Sequence, residues 1–523
     1  MKGFRGALIQ THRPWSVSMV LLGVLFWFSM PVKSEAASSK CVNMVGIEEV
    51  VRWYRCTLGG SPCGRVRETT ETDAEGGTRS TTDLEMRFFR ENTETRTRIV
   101  TRIDVGPEGD LREMILRQEL GGPAVTTRWT FSNGSVTERR SQGDRMIESI
   151  LPWPAGEWHH PEAAFEIARR TATATNGCRL WVIDPARGIE PMEIEYRRIG
   201  RVEIETPKGL REGERWQVIG IDGDESTEIF DQQGRLLRSE VVMGVGLGTL
   251  RMEATTSKDA AKALEGRMEL LEAGLVRPRF VGSPRRLDRG GVVVYRVRPK
   301  HGASIKLPAI GGQRLHPRGE HENLEVEVDP ERGSAVNPDL NRSVHLAATA
   351  ILDSEDPEVL RFARNADRPG RSDLARARAL RSAVHRHVVR KDLATAFATA
   401  GETVRSRSGD CSEHAVLLAA ALRAVGIPSR MVNGLVWISR RNEPAGVFLW
   451  HMWTQAVIDG EWVDLDATLG GARAFHPGHL AVSVADGSQA SMEAGGRAML
   501  EIFGGIEIEV LPSGTDLSSE NRE

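Results

Sequence analysis

The sequence predicts an α+β chain in which a large antiparallel β region precedes a mixed core of helices and strands. Three observations predict it. Apolar and polar residues alternate from about residue 45 to 255, the mark of a half-buried sheet. Near residue 340 the apolar spacing becomes helical. An almost wholly apolar helix pattern then precedes two strands joined by Asp459-Gly460, a preferred two-residue hairpin turn.

The chain begins with Lys2, Arg5, His12 and Arg13 ahead of an apolar stretch from Trp15 to Val32, followed by Ser34-Glu35-Ala36-Ala37. That charged, apolar, small-residue order is a secretory signal peptide, read as residues 1–37 and removed on export. The alternative is an uncleaved anchor, for which the apolar part is short against the roughly 20 residues a span needs. No stable membrane span is expected after cleavage, and the location is read as periplasmic or secreted. With 523 residues, two or three domains are expected. The net charge of −3 and the interleaving of Arg with Asp and Glu exclude a nucleic-acid footprint.

Residues 41–275 are read as one β-rich domain. Leu84, Met86 and Phe88 alternate with charged residues, as do those of Arg96–Val105, and Gly76-Gly77, Gly121-Gly122 and Asn133-Gly134 break the runs. A large curved sheet is expected, with a short helix over 161–168 laid against it and a closing helix over about 256–275. His159-His160 are read as surface residues, because adjacent side chains diverge and no third ligand is placed.

Five cysteines are present: Cys41, Cys56, Cys63, Cys178 and Cys411. Export permits disulfides. Cys56 and Cys63 flank the turn-rich Gly59-Gly60-Ser61-Pro62 and form the best candidate pair. Cys41 with Cys178 has little support. Either way Cys411 is left over, a liability or a working thiol.

Two more alternating runs, Val292 to Val297 and Leu324 to Val328, suggest a small β linker subdomain over 276–335. Residues 340–490 are read as the domain that carries chemistry, and 491–523 as a C-terminal tail. Within that domain His345 to Leu352 has helical spacing. Ser354-Glu355-Asp356-Pro357-Glu358 is a good helix start. Leu374, Ala377, Leu380, Val384 and Val388 continue the helical pattern, with His385 and His387 pointing to different sides.

The stretch Arg405-Ser406-Arg407-Ser408-Gly409-Asp410 delivers Cys411 to the first turn of a helix that is almost wholly apolar from Val416 to Val425, with Asp410 placed as N-cap. Unpaired N–H groups at a helix start favour a thiolate and can hold an oxyanion. Downstream, counting back from Asp459-Gly460 pairs Ile458 with Glu461 and Trp453 with Asp466. His451 and Asp466 then share a sheet face as diagonal neighbours, and a slip of one residue would separate them. Asp466 can orient one imidazole nitrogen while the other faces the thiol of Cys411. Trp453 and Trp462 are expected to wall the site. The alternative, with Asp466 a plain turn acceptor and His451 a satisfied polar residue, stays open. His414 is a rival base, read as a packing or hydrogen-bonding residue. His476 and His479 lie in a Pro-Gly loop without an acidic partner.

These motifs together resemble the transglutaminase-like superfamily of bacterial cysteine enzymes. They are Gly409-Asp410-Cys411 with Glu413-His414-Ala415, then Gly426-Ile427-Pro428-Ser429-Arg430, His451-Met452-Trp453, and Trp462-Val463-Asp464-Leu465-Asp466-Ala467-Thr468. The resemblance covers roughly residues 370–480. It implies a papain-like α+β core in which Cys411 matches the nucleophile, His451 the general base and Asp466 the third catalytic member. Ala467 stands where many members have Pro, and Gln455 where an acid is common. The expected activity is thiol-based acyl transfer or hydrolysis on peptide amides, with a peptide or protein substrate and no cofactor or metal. The rival is a non-catalytic binding or assembly module of the cell envelope. The family includes peptidases, amidases and members without demonstrated activity, so the reaction stays open, as does the oligomeric state.

Overall fold

The computed structural model describes residues 48–90, 93–119, 124–142, 145–172, 177–206, 209–220, 225–243, 247–269, 274–300, 305–318, 323–390, 398–471, 474–502, 504–512 and 514. The signal-peptide segment and Cys41 lie outside them. Around Gly274 the chain passes from one compact unit to a second. Among the described residues no helix is long and apolar enough to cross a membrane.

The first unit is built on one sheet, 15-stranded among the described residues. Strands from β1 (Glu48–Leu58) to β8 (Arg145–Pro152) lie side by side in chain order, and those from β9 (Cys178–Ile183) to β14 (Thr249–Thr255) do the same. β14 pairs antiparallel with β1 and joins the two runs. The alternation seen in the sequence becomes two-faced burial: Leu84 is paired with Ile99, and both are buried along with Met86, Phe88 and Ile103. Past β8 the chain bridges to β9, where the His159 N–H donates to the Trp181 carbonyl (2.8 Å) and the Ile183 N–H to that of His159 (3.1 Å). Helix α1 (Pro161–Thr171) follows, opened by its proline. Its Phe165 stacks on Phe230 at 3.7 Å between ring centroids and meets Trp216 edge-on at 5.4 Å, so the helix lies against the sheet. His159 and His160 are half-buried rather than on the surface, and burial pushes His160 down to about 4.

Helix α2 (Ser257–Ala263), capped by Thr256, is shorter than the run of Ala, Lys and Glu suggested. The N–H groups of Leu264 and Glu265 turn to carbonyls three residues back, which tightens and ends the helix. The chain then pairs as β15 (Met268–Glu269) with the strand Thr78–Arg90.

The cysteines differ from expectation. Cys56, Cys63, Cys178 and Cys411 are all free thiols. Cys56 stands opposite Gly64, and the register shifts just beyond it, so Cys63 falls at a bulge and not across from Cys56. Both are buried, and burial pushes Cys63 up to about 12 and Cys56 well above its ordinary value.

The second unit contains two five-stranded sheets among the described residues. One runs in the order β16 (Arg279–Phe280), β25 (Ile506–Val510), β17 (Val293–Pro299), β19 (Asn323–Val328) and β18 (Gln313–Arg318). It unites the segment read as a linker with residues read as a tail. The other runs β20 (Ser334–Ala335), β23 (Glu461–Leu465), β22 (Glu443–Ile458), β21 (Ser429–Arg440) and β24 (His479–Ala485). Among the described residues the unit also has helices α3 (Pro357–Ala366), α4 (Asp373–His387), α5 (Ala400–Ser406), α6 (Cys411–Ala424) and α7 (Gln489–Ile502). Residues 342–347 form hydrogen-bonded turns in place of the helix suggested for His345 to Leu352. Val359, Leu380 and Val384 meet Val416, Leu417 and Leu418 of α6 in one core that also takes in Met452, Ala456 and Ile458 of β22. The apolar composition of α6 is thereby explained: it is buried on every side.

Candidate active site

Cys411 is the first residue of α6 and is half-buried. The loop before it is locked by a reciprocal cap. The Asp410 carboxylate accepts from the N–H groups of Ser412 (3.0 Å) and Glu413, and the Glu413 carboxylate accepts from the N–H of Asp410 (2.9 Å). Glu413 also accepts from the Ala398 N–H (3.0 Å). Burial, with the Asp410 charge beside it, pushes the Glu413 carboxyl up to about 8. At the far end Gly426 takes φ 82°, its N–H donates to Arg423 and that of Ile427 to Leu422, each at 2.9 Å. That Schellman closure needs a left-handed residue, which glycine supplies. The cap at one end and the glycine stop at the other fix where the cysteine sits.

The second component comes from the hairpin. Pairs run from Ile458 with Glu461 to Thr454 with Leu465, the register counted from Asp459-Gly460. Asp459 and Gly460 take φ 51° and 83°, the positive angles of the expected turn. One residue past the end of β23, Asp466 places Oδ2 2.9 Å from His451 Nε2. The Cys411 thiol acts on the His451 ring as well and helps to raise it. Since Nε2 faces Asp466, Nδ1 is the nitrogen left for the sulfur. Burial alone would disfavour a charge on His451, but the Asp466 carboxylate and Cys411 outweigh it and raise the ring to about 10. Burial likewise opposes the charge on Asp466, yet His451 and His479 hold it well below the usual carboxylate range.

Asp466 is fixed from two sides. Its Oδ1 accepts from the N–H groups of Thr468 (2.7 Å) and Leu469 (3.4 Å). The turn itself is pinned by α4: Arg381 donates to the carbonyls of Leu469 (3.2 Å) and Gly471 (3.0 Å), and His385 Nδ1 to that of Ala467 (3.0 Å). His387 bonds elsewhere, to the Val404 carbonyl (2.8 Å), consistent with the two histidines leaving opposite sides of the helix.

His479 departs most from expectation. It opens β24, is fully buried, and has the acidic partner the sequence did not reveal: its Nε2 lies 3.1 Å from the same Asp466 Oδ2. The cause is topological, since β24 pairs with β21 and brings His479 onto the face that carries His451. His476 remains in the preceding loop and is buried; burial, with His479 beside it, pushes it down to about 3. His451, Asp466 and His479 offer ligand atoms within 4.8 Å of one another, a spacing a cation could bridge. An ionised carboxylate only accepts, however, so each Nε2 must carry a proton to bond it, and a protonated nitrogen is no ligand.

Trp453 walls the site: its ring stacks near His451 (6.2 Å between centroids) and meets His479 edge-on (5.2 Å). The second expected wall is displaced. Trp462 pairs with Val457, four residues along the hairpin from Trp453, and lies under the Arg430 guanidinium (4.0 Å) and against His345 (5.1 Å), and Phe475 takes its place beside His479 (4.5 Å). Gln455 links Arg430 to Asp464, accepting from the former (2.9 Å) and donating to the latter (2.8 Å). Asp464 also accepts from Trp453 Nε1 (2.8 Å) and the Gly312 N–H (2.9 Å). Burial lifts the Asp464 carboxyl above its ordinary value. His414 turns back on its own helix, its Nδ1 2.6 Å from the Asp410 carbonyl.

Support for this layer comes from the other sheet of the unit. The Gln313 side chain bonds both the N–H (2.8 Å) and carbonyl (3.0 Å) of Ala481, and the Tyr295 hydroxyl donates to the Pro477 carbonyl (2.7 Å).

Residues 361–467 match the transglutaminase-like superfamily. No curated protein matches the chain. Among solved structures, a β-barrel-like protein of unknown function from Brucella abortus is similar at 11% identity and TM-score 0.31, over 41% of this chain and 98% of that one. A candidate cysteine protease from Cytophaga hutchinsonii is similar at 15% identity and TM-score 0.25, over 42% and 81%. The periplasmic domain of TgpA from Pseudomonas aeruginosa is similar at 17% identity and TM-score 0.24, over 35% and 89%.

Proposed function

We propose that this chain is an exported cysteine enzyme that attacks peptide amides with Cys411, using His451 as general base and Asp466 to orient it. One observation carries the reading: His451 is bound through Nε2 to an ionised Asp466 while the Cys411 thiol acts on the same ring. The superfamily match spans all three residues.

In the first half-reaction the thiol proton passes to His451 Nδ1 and the sulfur bonds to the acyl carbon. The C–N bond then breaks, His451 returns the proton to the leaving amine, and a thioester remains. The cap claims the N–H groups of Ser412 and Glu413, so the helix's donor to the oxyanion is the N–H of Cys411. Water as second nucleophile gives hydrolysis, and an amine gives transfer. The charged-apolar-small order of residues 1–37 supports action outside the cytoplasm, on peptides of the bacterial periplasm.

An electrophilic probe tests the enzymatic reading. Labelling of Cys411 should be rapid and should slow by roughly tenfold or more in His451→Ala. Slow labelling indifferent to that change would instead favour a non-catalytic binding or assembly module. Mass analysis after incubation with a glutamine peptide and a labelled amine then separates hydrolysis from transfer.

A further inference from the structure

Asp466 serves two imidazoles with one oxygen. His451 Nε2 at 2.9 Å and His479 Nε2 at 3.1 Å both approach Oδ2, while Oδ1 is occupied by the N–H groups of Thr468 and Leu469. An ionised carboxylate can only accept, so both rings donate to it. The other nitrogen of His479 has a partner in either protonation state. Nδ1 lies 2.9 Å from the His476 carbonyl, to which a protonated nitrogen donates, and 3.3 Å from the His476 N–H, from which an unprotonated one accepts. The bond from His479 to Asp466 therefore persists whether the ring is neutral or charged.

The surroundings of His479 are defined on every side. Trp453 of β22 and Phe475 enclose it, at 5.2 and 4.5 Å between ring centroids. Its titratable neighbours are Asp466, His451 of β22 at 5.6 Å and His476 at 4.5 Å. Asp464 of β23 feels its charge, Asp288 acts on His476, and Arg381 of α4 acts on Asp466.

We propose that His479 is a positioning residue of the Cys411 site: by sharing Asp466 Oδ2 it lets the carboxylate hold the His451 ring without over-stabilising the proton that the ring must pass on. This rests on the enzymatic reading above. His451 has to accept the thiol proton and then surrender it to the leaving amine. A base whose protonated form is too stable surrenders it slowly, because proton transfer works best when basicity suits the working pH. Each hydrogen bond the carboxylate accepts draws off part of its charge, so a second donor on the same oxygen weakens its pull on the first.

The test is alkylation of Cys411 by iodoacetate across pH in the full chain, for the wild type, His479→Phe, His479→Gln and His451→Ala. The anionic reagent is drawn to the imidazolium, so the rate falls at high pH as His451 loses its proton. His479→Phe fills the aromatic enclosure without a donor and should move that fall upward by about one pH unit. His479→Gln keeps an N–H aimed at Oδ2 and should leave it where the wild type has it. A fall unmoved or lowered in His479→Phe, or moved as far in His479→Gln, overturns the proposal. If His479→Phe lacks a cooperative melt, His479→Leu takes its place in the same comparison. A profile indifferent to His451→Ala sinks the enzymatic reading itself; one that needs His451 yet ignores His479→Phe sinks only the role of His479.

Discussion

Trp453 lies across Gly434 on the neighbouring strand: a Cβ built on that glycine would meet the indole Cη2 at 2.7 Å and the Leu480 carbonyl oxygen at 2.2 Å. Gly434 is also the residue paired with His451 on one side and Ala481 on the other. Its missing side chain is what allows the indole to close over the sheet beside the histidine. Gly434→Ala should therefore destabilise the second unit by about 1–3 kcal/mol, as overpacking does. It should also slow alkylation of Cys411 by displacing the wall of the site. Urea unfolding and a labelling time course check the two parts.

Asp466→Asn keeps the shape of the turn and removes the charge. The His451 ring, raised to about 10 with the carboxylate present, should titrate well below that, because burial then acts without the carboxylate to oppose it. The high-pH fall in iodoacetate alkylation should move down accordingly. The stability consequence has a definite sign. His451 is raised in the folded state, so its contribution is complete below about 6.5 and is lost as pH climbs through about 10. Asp466 is lowered, so its contribution is present above about 4 and is lost as pH falls below that. Thermal melts of Asp466→Asn should show a flatter dependence on pH at both ends than those of the wild type.

Glu413→Ala removes the acceptor for two backbone donors, the buried N–H of Ala398 and the part-buried N–H of Asp410. Leaving such donors unsatisfied costs about 1–3 kcal/mol. Because the same cap holds the loop that presents Cys411, labelling of the thiol should slow as well. A stability loss with unchanged labelling would show that the cap does not set the position of the sulfur.

Cys56 and Cys63 should resist alkylation in the native protein, since both are buried and burial holds their thiols far from ionisation. Peptide mapping after native treatment with iodoacetamide should find Cys411 modified and this pair untouched. Treatment after unfolding should modify the pair too, with no prior reduction. Recovery of a Cys56–Cys63 disulfide peptide would contradict the free thiols of the fold.

The parts legible in the sequence were those set by local chemistry. Asp459-Gly460 fixed the hairpin register, and the register fixed which face carries His451 and Asp466. Asp410 ahead of an apolar run announced the start of α6, and alternation announced the large sheet. What stayed hidden depended on pairing between distant strands. His479 stands beside Pro477-Gly478, which in sequence alone marks a loop. Yet Leu480, Val482 and Val484 alternate with Ala481 and Ser483, a strand pattern beginning at His479 itself. That signal locates the strand, but its pairing with β21, which delivers the ring to Asp466, follows from no local rule. The run Ile506-Glu507-Ile508-Glu509-Val510 is equally regular and was assigned to a tail. Trp462, expected from the sequence to wall the site, lies four residues from Asp466 along the hairpin, far enough to have different neighbours.

The buttress formed by Tyr295, Gly312 and Gln313 has a practical bearing on how this protein can be dissected. A gene fragment trimmed to the boundaries of the superfamily match would encode Cys411, His451 and Asp466, yet omit β24 and every one of those buttressing contacts. Such a truncation would expose the apolar underside of β21 and leave Asp464 short of a donor. Cloning from Gly274 through Leu511 retains both sheets of the second unit and with them every one of those contacts.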